Sequence, residues 1–139
     1  MTDEINVNHW GVYKAIPMDN EQIWSDLTRI GIDPQERFDK RYRIKAIVGK
    51  GLRGFVLGVL DTANNRIKCA IKVISPELSD DQDLHYRITR SVLRCKDLKH
   101  KNIVTIWSHS QADNGLWYYT MEYVDGYSLL HIIRDGQCA

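Results

Sequence analysis

Gly49-Lys50-Gly51-Leu52-Arg53-Gly54-Phe55-Val56, followed downstream by Cys69-Ala70-Ile71-Lys72, decides how the rest of the chain reads. The three glycines make a G-x-G-x-x-G pattern that two unrelated phosphate-binding designs share. In the first, the pattern opens a helix whose N-terminus holds a pyrophosphate, and an acid about 20 positions on holds a ribose. Here the pattern runs into Phe55-Val56-Leu57, which reads as strand, and Lys72 stands near where the acid belongs. In the second, a strand–loop–strand flap covers nucleotide phosphates, and the glycines let backbone N–H groups approach the oxygens. Strand periodicity puts Ala70 and Lys72 on one face and Cys69 and Ile71 on the other. The small residue leaves room for a flat base, and the lysine reaches toward phosphates. A glycine-rich hairpin that touches nothing is the bland alternative at this point.

Working outward, Tyr42, Ile44, Ala46 and Val48 alternate with polar residues. Residues 55–60 form an apolar run, and Ile67, Cys69, Ile71 and Val73 alternate again. Three short strands with polar turns predict an antiparallel meander. Ser79-Asp80-Asp81-Gln82 has the form of a capping box, and Leu84, Ile88, Val92, Cys95 and Leu98 make one helical stripe behind it. Residues 103–107 and 116–123 predict two further strands, joined through Ala112-Asp113-Asn114-Gly115, a hairpin signal. A short helical start follows at 128–133. Ahead of the meander, Ile23, Trp24, Leu27 and Ile30 recur at helical spacing, with Asp19 or Asn20 as cap and Gly31 as stop. Residues 1–40 are therefore expected to be a helical N-terminal extension that packs on residues 41–139.

Composition narrows the function classes. The 139 residues carry 19 Lys+Arg against 18 Asp+Glu, a net charge of +1. That balance argues against nucleic acid or an anionic membrane as a general electrostatic partner. No apolar run is long enough to span a bilayer, and the first residues lack the basic start of a secretion signal. The three cysteines, Cys69, Cys95 and Cys138, are widely spaced. They suit packing in a reducing, cytoplasmic compartment, and no His/Cys spacing suits a structural metal site.

Taken together, these segments resemble the N-terminal lobe of eukaryotic-type protein kinases, including the bacterial serine/threonine kinases. The glycine pattern through Val56 is similar to that family's phosphate loop, and Ala70-Ile71-Lys72 to its strand-three lysine motif. Leu98-Lys99-His100-Lys101-Asn102-Ile103-Val104 resembles the stretch before its fourth strand, with Lys101 in place of proline. Met121-Glu122-Tyr123-Val124-Asp125-Gly126, followed by Ser128, resembles its fifth strand and hinge. The resemblance covers about residues 40–135 and implies an α+β fold: a five-stranded antiparallel sheet with one long packed helix.

The resemblance also implies roles. Gly49, Gly51 and Gly54 would cover the phosphates of ATP, and Val56 and Ala70 would lie above the adenine. Lys72 would be the catalytic lysine pairing with the α- and β-phosphates. Met121 would be the gatekeeper, the backbones of Glu122 and Val124 would meet the adenine edge, and Ser128 would contact the ribose. Cys95 and Ile106 would join the hydrophobic spine. A protein substrate or a regulatory protein would be the partner.

Two departures stand out. The family pairs the lysine with a helix glutamate, but the corresponding position is Ser91, placed by spacing on the inward stripe. No segment resembles the catalytic loop or the D-F-G aspartate, so the chain is expected to stop after the hinge. Mg²⁺ is expected only with the missing lobe, and phosphotransfer is not expected from this chain alone. A pseudokinase-like regulatory module remains the alternative.

Overall fold

The computed structural model describes residues 21–51, 54–124 and 133. The elements are α1 (Glu21–Arg29), β1 (Arg37–Phe38), β2 (Tyr42–Gly51), β3 (Gly54–Asp61), β4 (Ile67–Ile74), α2 (Pro76–Asp80), α3 (Gln82–Lys96), β5 (Ile106–Gln111) and β6 (Trp117–Met121). The strands form one antiparallel sheet in the order β1-β2-β3-β4-β6-β5. The α+β architecture is the expected one, but the sheet has six strands and not five.

The sixth strand comes from a turn with no glycine. Asp39 and Lys40 both take positive φ, +53° and +55°, and Arg41 N–H donates to the Phe38 carbonyl at 3.1 Å. Two consecutive residues at positive φ give the turn that matches strand twist. The strained turn is held from outside. Asp39 accepts hydrogen bonds from the Tyr118 hydroxyl at 2.5 Å and from Asp113 N–H at 2.9 Å.

Alternation sorts side chains to the two faces of the sheet. On one face Tyr42, Ile44, Ile47, Phe55, Leu57, Val59, Cys69, Ile71, Val73 and Tyr118 form the core with Ile23 and Leu27 of α1 and with Ile32 and Phe38. Residues 21–38 thus contribute to the core of the sheet. Gly31 ends α1 at φ +95°, as expected, while the Asp19/Asn20 cap lies outside the described residues.

The other face receives α3. Its His85 ring lies 4.8 Å from that of Trp117, and His109 stacks on Trp117 at 5.2 Å. Val92 is buried beneath the helix, with Leu84, Ile88 and Cys95 half-buried. The cap of α3 is Asp81 and not Ser79, which falls within α2. Asp81 accepts from the N–H groups of Asp83 and Leu84, both at 3.1 Å.

The strand expected at 103–107 begins later, at Ile106. Ile103 and Val104 are 42% and 39% exposed, and Ile103 N–H is turned back to the His100 carbonyl at 3.0 Å. The Ala112–Gly115 hairpin stands as expected, with Gly115 at φ +91°.

Arg41 closes the end of the β2–β3 pair. Its guanidinium makes a two-point contact with Asp61 at 2.7 and 2.8 Å, and Asp61 also accepts from Ala63 N–H. The hydrogen bonds from Arg41 hold the Asp61 carboxyl below its usual pKa against the opposing effect of burial. Asp61→Asn should therefore lower stability by about 1–3 kcal/mol at neutral pH. The advantage of the wild type should be full above the ordinary aspartate pKa of about 3.9 and fade as pH falls through the lowered folded value. Urea unfolding of both proteins at pH 7 and in acid checks this.

Candidate functional site

The register of the central strands brings the predicted residues to one face. Val56 stands opposite Lys72, Gly58 opposite Ala70, and Ala70 opposite Met121 on the next strand. Gly49 pairs with Val56, so β2 brings the glycine hairpin to the same edge. Directly opposed residues in an antiparallel ladder share a face. Gly49, Val56, Gly58, Ala70, Lys72 and Met121 therefore line the face on which α3 also lies.

The floor of this face is small and apolar. Gly58 and Ala70 leave a shallow strip, flanked by a cluster of Ala46, Leu60 and Tyr123 that sequence reasoning missed. Ala70 is buried, and Val56 and Met121 are half-buried.

The glycines differ in kind. A Cβ at Gly49 or Gly51 would meet nothing within 4 Å, so space lies open where a side chain would stand. Gly54 sits at φ +136°, and a Cβ there would stand 1.8 Å from the Val73 carbonyl oxygen. Its role is the close approach of β3 to β4. Leu52 and Arg53, between Gly51 and Gly54, lie outside the described residues.

Beyond β6, Glu122 N–H donates to the Thr105 carbonyl at 2.9 Å, and its carboxylate accepts from Thr105 N–H at 2.9 Å. With its N–H committed, Glu122 can offer a base edge its carbonyl. Val124 is 58% exposed. Ser128 lies outside the described residues. Ile106 opens β5 opposite Met121, and Cys95 is half-buried on α3.

No family model matches the chain. It is 36% identical over 96 residues, 69% of its length, to the serine/threonine-protein kinase PknD of Chlamydia muridarum. It is 35% identical over 100 residues to PknD of Chlamydia abortus. The chain spans about one tenth of the length of these relatives. Among solved structures, the PknI kinase domain of Mycobacterium tuberculosis superposes with a TM-score of 0.64 at 23% identity, covering 78% of this chain and 42% of that one. The fold is that of a protein kinase N-terminal lobe. Its sequence is similar to that of bacterial serine/threonine kinases.

Within this lobe, α3 lies on the same face of the sheet as Lys72. Ser91 is the exception to the expected stripe. It is exposed and borders an open cavity with Asp83, Tyr86, Arg87, Arg90 and Arg94. On the helical wheel it stands beside Leu84 and Cys95, at the edge of the packed stripe and not within it.

Sequence reasoning also missed an ion pair behind the hairpin. Asp26 of α1 receives the Lys50 ammonium and, at 3.1 Å, the Gln22 amide. The hydrogen bond from Lys50 holds the Asp26 carboxyl below its ordinary pKa. No sequence period links residues on separate elements, so only the fold reveals this pair.

Gly54→Ala should destabilise the lobe by more than about 2 kcal/mol, since the new methyl meets backbone that cannot move aside. Gly51→Ala should stay within about 0.5 kcal/mol of wild type. Thermal unfolding of the two variants tests this contrast, and equal losses would contradict it.

Proposed function

We propose that this lobe binds ATP and is the nucleotide-holding half of a serine/threonine protein kinase. The single observation that carries the reading is the placement of Val56, Ala70, Lys72 and Met121 on one face, beside an open glycine edge. The residues fit the nucleotide by size and charge. The strip at Gly58 and Ala70 accommodates a flat base, and the Glu122 carbonyl and Val124 backbone lie beyond the end of β6 beside Met121. Lys72 supplies positive charge for the phosphates, and Gly49 and Gly51 place no side chain in the way of their approach.

ATP brings the transferable γ-phosphoryl group. Its transfer to a protein hydroxyl calls on a base and on Mg²⁺ held by carboxylates of a second lobe. A protein substrate is the corresponding partner. The buried Cys69 thiol, pushed up to about 12 by burial, and the free Cys95 suit a cytoplasmic setting. No described helix is long and apolar enough to cross a membrane.

A second reading, a regulatory module that binds without transferring phosphate, is favoured by Ser91. The position bears a hydroxyl where the active form pairs its lysine with an acid, and it is exposed at the rim of the helix. A double-mutant cycle of Ser91→Glu with Lys72→Met addresses it. Coupling above about 0.5 kcal/mol would place position 91 opposite Lys72. No coupling in folded variants would remove the support that Ser91 gives this reading.

Calorimetric titration tests the first reading. ATP should bind the 139-residue chain weakly, with a Kd on the order of 0.1–1 mM. Lys72→Met should weaken binding about tenfold or more through loss of charge-assisted contacts to phosphate. Radiolabelled ATP should show no transfer by this chain above the Lys72→Met control. Unchanged affinity in Lys72→Met, or no binding at tens of millimolar ATP, would overturn the reading.

A further inference from the structure

Asp26 is an acid in an unusual place. Its side chain is only 11% exposed, on the one face of α1 that enters the core. A carboxylate so enclosed needs partners. Among the described residues three donors converge on it: the Lys50 ammonium, the Gln22 amide at 3.1 Å and, at 3.8 Å, the Arg29 guanidinium. Two of the three come from its own helix. Only Lys50 comes from elsewhere, and it stands between the first two glycines of the hairpin.

Lys50 pairs with Phe55, whose side chain belongs to the α1 face of the sheet. The ammonium lies 6.0 Å from the Phe55 ring centroid as it crosses toward α1. Its charge is therefore directed away from the face that carries Lys72. The hairpin is held on both of its strands. Gly54 fixes β3 by backbone contact with β4, and Lys50 fixes β2 through Asp26. Gly51 itself, with open space around it, has no side chain to restrain it.

We infer that Asp26 is a positioning residue for the glycine-rich hairpin: through Lys50, α1 holds the hairpin at the height where its backbone N–H groups meet a nucleoside triphosphate. The consequence for ligand binding rests on the ATP reading above; the tether itself does not. Breaking it lets the β2 arm lift from α1, and the glycine N–H groups then spend part of their time out of reach of phosphate. The same reasoning assigns residues 21–38 a part in nucleotide affinity although none of them touches the nucleotide face.

The test uses the full 139-residue chain in four forms: wild type, Asp26→Asn, Lys50→Met, and the charge exchange Asp26→Lys with Lys50→Asp. Amide hydrogen exchange at Gly49, Lys50 and Gly51 reads the tether, and ATP titration reads its consequence. Each single variant should speed exchange at these amides and weaken ATP about three- to fivefold, the range of one partly exposed ion pair. The charge exchange should restore both. Near-ultraviolet circular dichroism confirms that the variants are folded. Unchanged exchange in both single variants would overturn the tether, as would a folded charge-exchange variant that restores nothing. Faster exchange with unchanged ATP affinity would overturn the positioning role while leaving the ATP reading in place. A wild-type chain that binds no ATP would overturn that reading and the positioning role with it, while exchange alone still decided whether the tether exists.

Discussion

Between Gly54↔Ile74 and Asp61↔Ile67, strands β3 and β4 pair residue for residue without a bulge. Because side chains alternate, that ladder assigns every residue of both strands to a face. A slip of one residue along either strand would carry Lys72 into the core beneath α1 and expose Ile71, which is fully buried. The β2 strand is more tolerant, with irregularities near Ala46 and Gly49. The site therefore depends on β3 and β4 for its geometry, and β2 adapts to them.

The two faces of the sheet are built for different ends. Toward α1 the strands present Leu57, Val59, Ile71 and Val73, all buried, and burial of such side chains stabilises a fold by roughly 1.5–3 kcal/mol each. Toward α3 they present Gly58 and Ala70 at the same level, which contribute little packing. The larger apolar side chains are thus left to the other face. Here α1 completes that other face, so a segment without any recognisable motif supports the sheet that carries the candidate site.

The alternation of residues 67–73 and the spacing of the glycines were legible in the sequence because both express local periods. So were the Asn114-Gly115 turn and the stripe of α3 from Leu84 to Cys95, whereas Leu98, expected to continue it, lies beyond the helix end at Lys96 and is exposed. The β1 hairpin was not, since Asp39-Lys40 is held in its turn by Tyr118 and Asp113, far along the chain. The apolar pair Ile103-Val104 reads as strand by composition, yet the turn at His100 takes the hydrogen bond a ladder would need. In the site, parity predicted which of Ala70 and Lys72 share a face. It could not predict that Ala70 would be buried, that Ser91 would stand at the rim of its helix, or that Asp26 would find Lys50.

The clasp on Asp39 joins residues 79 and 74 positions apart. Synthesis delivers the chain from its N-terminus, at about 5–20 residues per second. The β2–β3–β4 meander can close as it emerges, since each strand pairs with the one just before it. The Asp39 turn gains its hydroxyl and amide donors only when Tyr118 and Asp113 have left the ribosome. For several seconds the nascent meander thus carries an edge on β2 without its clasp, open to pairing with another strand. The order in which contacts become available, and not only their strength, sets when this sheet is sealed.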